Sequence, residues 1–179
     1  MTAQDILDFW FNQDNQPYWF RKSAAFDEKI RGRFAQLWQQ AAHSELQHWR
    51  ETLAGRLAEI IVLDQFSRNL FRNSPIAFAQ DSMALALAQE AVRQQGFADM
   101  KPDERHFMLM PWMHSESRRI HEQAEELFGR YTTPDALNFE IKHKRIIDRF
   151  GRYPHRNEVL GRQSTAEEIE FLKQPGSSF

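Results

Sequence analysis

Apolar residues recur at spacings of three and four along almost the whole chain, and no stretch alternates convincingly with a period of two. A 3.6-residue period gathers such residues on one helix face, whereas a half-buried strand requires alternation. The chain is therefore expected to be all-α. Ile6, Leu7, Trp10 and Phe11 form the first face, which ends before Asn12. Ser23 is placed to cap a second helix carrying Phe26, Ile30, Phe34, Leu37, Trp38 and Ala41. The pattern loosens into a turn-like connection from Ala42 to Arg50. A third helix is expected from Thr52 to about Phe71, apolar round most of its circumference, which places it centrally.

Proline and its caps divide the rest. Ser74-Pro75 reads as N-cap and first helical residue of a helix running to Val92, with Gly96 as its stop. Pro102 opens another helix. Pro111 should kink or end it, because its ring removes an amide donor and crowds the preceding turn. Ile120, Ala124, Leu127 and Phe128 resume the period, and Thr133-Pro134 starts a helix that runs to Phe150. Thr165 and Glu168 have the spacing of a capping box for a short last helix. The expected fold is a compact array of about eight or nine helices, packed largely as antiparallel pairs through short connections. Residues 1–174 are expected to form a single domain and 175–179 a loose tail.

Hydrophobic residues make up 41% of the chain, with fifteen Phe and five Trp, so a folded core is expected rather than disorder. A net charge of −2 gives no electrostatic footprint for nucleic acid, and the basic stretch lacks exposed aromatics for base stacking. Nucleic acid is disfavoured as a partner. The absence of Cys excludes disulfides and thiolate zinc sites. MTAQDILDFWF has no basic leader and carries Asp5 and Asp8 within its apolar run, unlike a signal peptide. The longest aliphatic run, Ile60–Leu63, is too short to span a bilayer. The expectation is a soluble cytoplasmic protein that does not engage a membrane.

Function has to be sought where polar residues interrupt apolar faces. Asp64 shares a face with Leu57 and Ile60, and Arg68 follows Asp64 by one turn. Either the two brace the core as an ion pair, or Arg68 and Asn69 contribute to a ligand pocket with Gln65 and Arg72 at its rim. In Met110–Glu116 the Pro111 kink redirects the chain near His114. His114, Arg118 and His121 then line one stripe, with Glu116 and Gln123 on another. A His beside a Glu suits a base and its orienter, while a histidine near a kink also suits a hydrogen-bonded core. His143 shares a stripe with Phe139, Ile146 and Phe150 and is expected to face inward.

The densest signal is His143–Arg162, broken by Gly151 and Pro154 and carrying six basic side chains, among them Arg152, Arg156 and Arg162. With His155, Asn157 and the amides after Pro154, these arginines would suit a phosphate or carboxylate. The alternative is a structural knot in which they pair with acidic side chains. Glu45 and His48, and Glu140 and His143, have the Glu-x-x-His spacing of carboxylate-bundle metal sites. The first pair falls in a poorly helical segment and Glu140 lies off its stripe's apolar centre, so no metal is assigned. There is no phosphate-cradling glycine loop, nucleophile elbow or HExxH, and no cofactor is expected.

Several blocks in order resemble one bacterial family, the domain of unknown function 924. They are Ile6–Phe11, Trp19-Phe20, Leu63–Asn69, Phe78–Asp81, Met110–Glu116, Arg149–Asn157 and Leu160–Arg162. The segment Ser117–Gln123 fits the family less clearly, which gives His121 little weight. The resemblance implies a tetratricopeptide-like helical fold and implies no activity.

These readings converge on a pocket for a small anionic ligand, held by arginines from three separated motifs. Its expected ligand-binding residues are Asp64, Arg68, Asn69, His114, Glu116, Arg152, His155, Arg156, Asn157 and Arg162. Arg68, His114, Arg152 and Arg156 in particular are expected to converge on one cavity, completed by a ligand or internally by Asp64 and Glu116. The rival is a protein-interaction scaffold whose arginines are structural or grip an acidic peptide. The sequence selects no reaction, ligand or oligomeric state.

Overall fold

The computed structural model describes residues 1–179 and contains eight α-helices and no strand. Their boundaries follow the local signals. α1 (Ala3–Trp10) starts at a capping box in which Thr2 and Asp5 exchange backbone and side-chain hydrogen bonds. α2 (Ala24–Ala42) starts at Ser23, whose hydroxyl accepts the Phe26 amide. A 3₁₀ turn, Gln47–Glu51, occupies part of the expected loose connection. Gly55 then passes so close to it that a Cβ there would lie 1.9 Å from the Trp49 carbonyl oxygen.

α3 begins at Leu53, with Thr52 as its cap. It differs from the regular helix expected: Val62–Phe66 form a π turn, and the α-helix resumes only over Ser67–Leu70. A π turn contains one residue more than an α turn, which rotates the following residues by about 100° relative to those before it. All five π residues are buried. Side chains cap two of its carbonyls: the Ser67 hydroxyl donates to Leu63, and Arg68 Nη1 donates to Asp64 at 2.8 Å.

The helix expected from Pro75 to Val92 is split. Pro75–Phe78 form a 3₁₀ turn, and α4 covers Asp81–Ala91. Ending the first turn at Phe78 brings Phe78 and Asp81 to the same arginine, as described below. α5 (Pro102–Met113) contains Pro111 and ends two residues beyond it. α6 (Arg118–Tyr131) and α7 (Pro134–Phe150) are joined by two residues and pack closely together. Gly151, at φ +70°, terminates α7 in the left-handed conformation that glycine adopts without a Cβ clash. A 3₁₀ turn (Pro154–Arg156) follows, and the Thr165–Glu168 capping box opens α8 (Ala166–Leu172).

Helices α1 to α6 share one core. Phe66 of the π turn packs 5.1 Å from Phe34 between ring centroids, and Trp10 packs edge-on to Phe107 at 5.4 Å. A second, small cluster of Ile146, Ile147 and Tyr153 forms under the C-terminal segments. Polar side chains and a cavity occupy the seam between the two. The tail reaches this seam: Ser177 donates to the Leu172 carbonyl, and Phe179 stacks on His143 with centroids 3.6 Å apart. No helix is long and apolar enough to cross a membrane.

Candidate functional site

The π turn places Asp64 inside the protein, with no exposed surface. Its carboxylate accepts hydrogen bonds from His114 Nδ1 at 2.7 Å and Gln65 Nε2 at 2.6 Å and is ion-paired with Arg68 Nη1 at 3.1 Å. Two donors and a guanidinium are what keep a buried carboxylate ionised. Burial alone would raise its pKa, but the neighbouring His114 ring and Arg68 guanidinium outweigh that and hold the carboxyl below its ordinary range. For His114, burial and the charge of Arg68 outweigh the pull of Asp64, so the ring is neutral at pH 7.

Arg68 extends the network to α4. It forms a bidentate pair with Asp81 at 3.0 and 3.1 Å, and Arg156 Nη1 approaches the same carboxylate at 3.3 Å. Asp81 is the anion between two arginines, a position the sequence reading gave to a ligand or to Asp64 and Glu116. Arg156 lies between aromatic rings, 4.5 Å from Phe78 and 4.6 Å from Tyr153, and its Nη2 donates to the His114 carbonyl at 3.0 Å. Only 6% of Arg156 is exposed, and its Nε has no partner. Burial and Arg68 lower its pKa, but a guanidinium remains charged at any physiological pH.

Gln65, Arg68, His114 and Arg156 line a cavity of about 760 Å³. One wall is apolar, formed by Trp19, Phe78, Met110, Met113 and Tyr153. The mouth carries Phe20, Phe139 and Phe179, all more than 45% exposed, and beside them the exposed Arg21 and Lys22. His143 and His155 complete the lining. Burial lowers the pKa of His143 to about 3 and that of His155 to about 4, so neither contributes charge at neutrality. The Nδ1 of His155 is buried without a partner. A smaller cleft of about 310 Å³ shares Arg156 and His114 with the cavity and is also lined by Asp81 and Glu116.

Arg68, Asn69, His114, His155 and Arg156 therefore meet at one cavity, with Asp64 directly behind. Asn69 is also tied to α2 through Asp27, which accepts its amide at 2.7 Å and pairs with Arg72. Arg152 is not part of this group. It forms a closed bidentate pair with Glu168 at 2.7 and 2.8 Å, because the capping box of α8 brings that carboxylate to it. Arg162 forms a closed pair with Glu116 at 2.6 and 2.9 Å. Glu116 also accepts the Tyr153 amide at 2.7 Å, so an internal carboxylate takes the first donor of the turn that the sequence suggested for an anion. Asn157 binds Ser164 and Glu168. The basic turn is thus a knot at Arg152, Asn157 and Arg162, and it opens on a cavity at His155 and Arg156.

Two histidines expected on one stripe separate, because α5 ends at Met113 and α6 begins only at Arg118. His121 is fully buried, 2.6 Å from Glu140 through Nδ1, with Nε2 on the Ser115 carbonyl at 2.8 Å. Burial raises the Glu140 pKa against the opposing pull of the His121 hydrogen bond. His143 faces inward as expected, but Phe139 of its stripe is 51% exposed at the cavity mouth. No group of three or more His, Asp or Glu side chains is placed to hold a metal ion.

Asp81 and Phe78 were legible only as part of the family resemblance, and Phe179 only as tail. Nothing in their spacing marks them, since each reaches the site through a break between helices. A model of a bacterial protein family of unknown function, DUF924, matches residues 6–176. The chain is 37% identical to a solved structure of a protein of unknown function, ATU0120 from Agrobacterium tumefaciens, over 96% of each chain, with a TM-score of 0.90. No curated protein matches it. This all-helical chain belongs to the bacterial family of unknown function DUF924.

Proposed function

We propose that the cavity binds a small ligand with one anionic group, phosphate or carboxylate, and an apolar body. The observation that carries this reading is the lining itself, where the Arg68 and Arg156 guanidinium groups border a largely apolar cavity. An anion beside them gains charge-assisted hydrogen bonds that a neutral ligand cannot. Arg68 and Arg156 are balanced by Asp64 and Asp81, so the inner wall is close to neutral. Arg21 and Lys22, set against Asp135 in the same lining, add one net positive charge. The Trp, Phe and Met lining suits an apolar body, and the cavity has the volume of a small-molecule site.

The scaffold reading accounts for Arg152 and Arg162, whose carboxylate pairs are closed, and gives no role to the cavity. Thermal denaturation with phosphate, phenyl phosphate, benzoate and phenylpyruvate separates the two. A ligand at about 100 times its Kd stabilises by about 2.7 kcal/mol, or roughly 5–10 °C for a chain of this size. Arg156→Gln should abolish the shift and Arg152→Ala should keep it. No shift with any of the four at millimolar concentration would leave the scaffold reading standing.

A further inference from the structure

His114 is held as a base is held. Its Nδ1 donates to the buried carboxylate of Asp64 at 2.7 Å, which fixes the tautomer with the proton on Nδ1 and leaves Nε2 with a lone pair. Nε2 makes no hydrogen bond to the protein and is not sealed from solvent, and the ring lines both the large cavity and the smaller cleft. The backbone is pinned as well, because Arg156 Nη2 donates to the His114 carbonyl at 3.0 Å. The base and the Arg156 guanidinium are thus built into one wall.

The other buried histidines differ. His121 has both nitrogens engaged. His143 donates Nδ1 to the Phe139 carbonyl, and its ring is covered by Phe179. His155 has no carboxylate on its ring. No protein hydroxyl is hydrogen-bonded to His114 Nε2, whose ring makes its one hydrogen bond through Nδ1. The Ser67 hydroxyl donates to Leu63, that of Tyr153 donates to the Met113 carbonyl at 2.6 Å, and Ser115 Oγ accepts the Ser117 amide. With no Cys in the chain, the proton that Nε2 takes belongs to the ligand or to water rather than to a protein nucleophile.

We propose that His114 is the general base of this cavity, with Nε2 as the basic atom and Asp64 as the positioning residue. The proposal rests on the anion-binding reading for its substrate class. In the step it makes, the Nε2 lone pair takes a proton from a C–H bond next to the ligand's carbonyl or carboxylate. The bonding pair stays on the ligand as an enolate, the ring becomes an imidazolium beside Asp64, and the proton returns to ligand carbon to complete the cycle. Arg156, next to the ring, is placed to hold the anion as its charge develops. The charged and titratable groups around the ring are Asp64 and Arg68 from α3, Asp81 from α4, His106 from α5, His143 from α7 and Arg156 from the turn after α7. Burial and Arg68 keep the ring neutral at pH 7, the state a base requires.

Long-range ¹H–¹⁵N NMR of the whole chain reads the tautomer directly. At pH 7 His114 should show a protonated Nδ1 and a bare Nε2. Diethylpyrocarbonate provides a second reading: Nε2 attacks a carbonyl carbon, an N–C bond forms, and ethyl carbonate leaves to give ethanol and carbon dioxide. His114 should react faster than the exposed His43 and His48, and its rate should fall only below the ordinary histidine pKa. Asp64→Asn should slow it on the order of tenfold or more, as expected when a ring loses the group that fixes its tautomer. If that variant does not fold, the wild-type tautomer still decides. An Nε2-protonated or doubly protonated ring at pH 7, or slower acylation than His43, overturns the proposal. Anion binding is read separately by the thermal shift and its loss in Arg156→Gln, so either reading can fail without the other.

Discussion

Asp64→Asn removes one buried charge while nearly preserving shape, and its effect follows from the network. In the wild type Asp64, Asp81, Arg68 and Arg156 sum to zero around a neutral His114. The variant leaves the group with one net positive charge in a buried setting. It also keeps only one acceptor oxygen, so either His114 or Gln65 loses its partner, although Arg68 keeps its bidentate pair with Asp81. Removing one partner of a buried pair costs about 3–5 kcal/mol, and the surviving Asp81 pair places this variant at about 3. For a chain of this size that lowers Tm by roughly 6–12 °C. Urea denaturation of Asp64→Asn, Arg68→Met and the double variant should show a coupling of about 1 kcal/mol or more.

The acid limb tests the same charge. Because its folded-state pKa is depressed, Asp64 contributes full stability above its unfolded pKa of about 3.9, and that contribution is lost as pH falls through the folded value. The gap between wild type and Asp64→Asn should therefore hold at neutral pH and narrow below about pH 4. A His114→Gln background keeps the ring's own titration out of the comparison. A loss under about 1 kcal/mol, or strictly additive single variants, would refute the idea that Asp64 and Arg68 act as one unit.

Gly55→Ala forces a Cβ to within 1.9 Å of the Trp49 carbonyl, so the turn before α3 must move. A loss of about 3 kcal/mol in urea denaturation is expected, and near-wild-type stability would show that this turn yields freely. Glu116→Gln weakens the Arg162 pair and the hold on the Tyr153 amide. It should cost about 2 kcal/mol by the same assay, with less loss at high salt where the part-exposed pair is screened.

The sequence by itself determined the helical class and most helix ends. Those depend on contacts within a few residues: Thr2 with Asp5, Ser23 with Phe26, Thr133 with Ala136, and Thr165 with Glu168. It also marked Asp64 and Arg68, because a charge on an apolar face is visible in the period, and it marked His114 by the Pro111 kink and Arg156 by the basic turn. It did not mark the π turn. An extra residue in a helix leaves no trace in spacing when every side chain around it is buried. Nor did it separate Arg156 from Arg152, four residues away in the same basic run. Only the packed chain decides which carboxylate each guanidinium reaches. Glu168 closes on Arg152 across the α8 cap, whereas Asp81, 75 residues before Arg156 in the chain, is shared with Arg68. Partner choice among like side chains depends on distances set by the fold, and those distances placed Arg156, not Arg152, in the cavity wall.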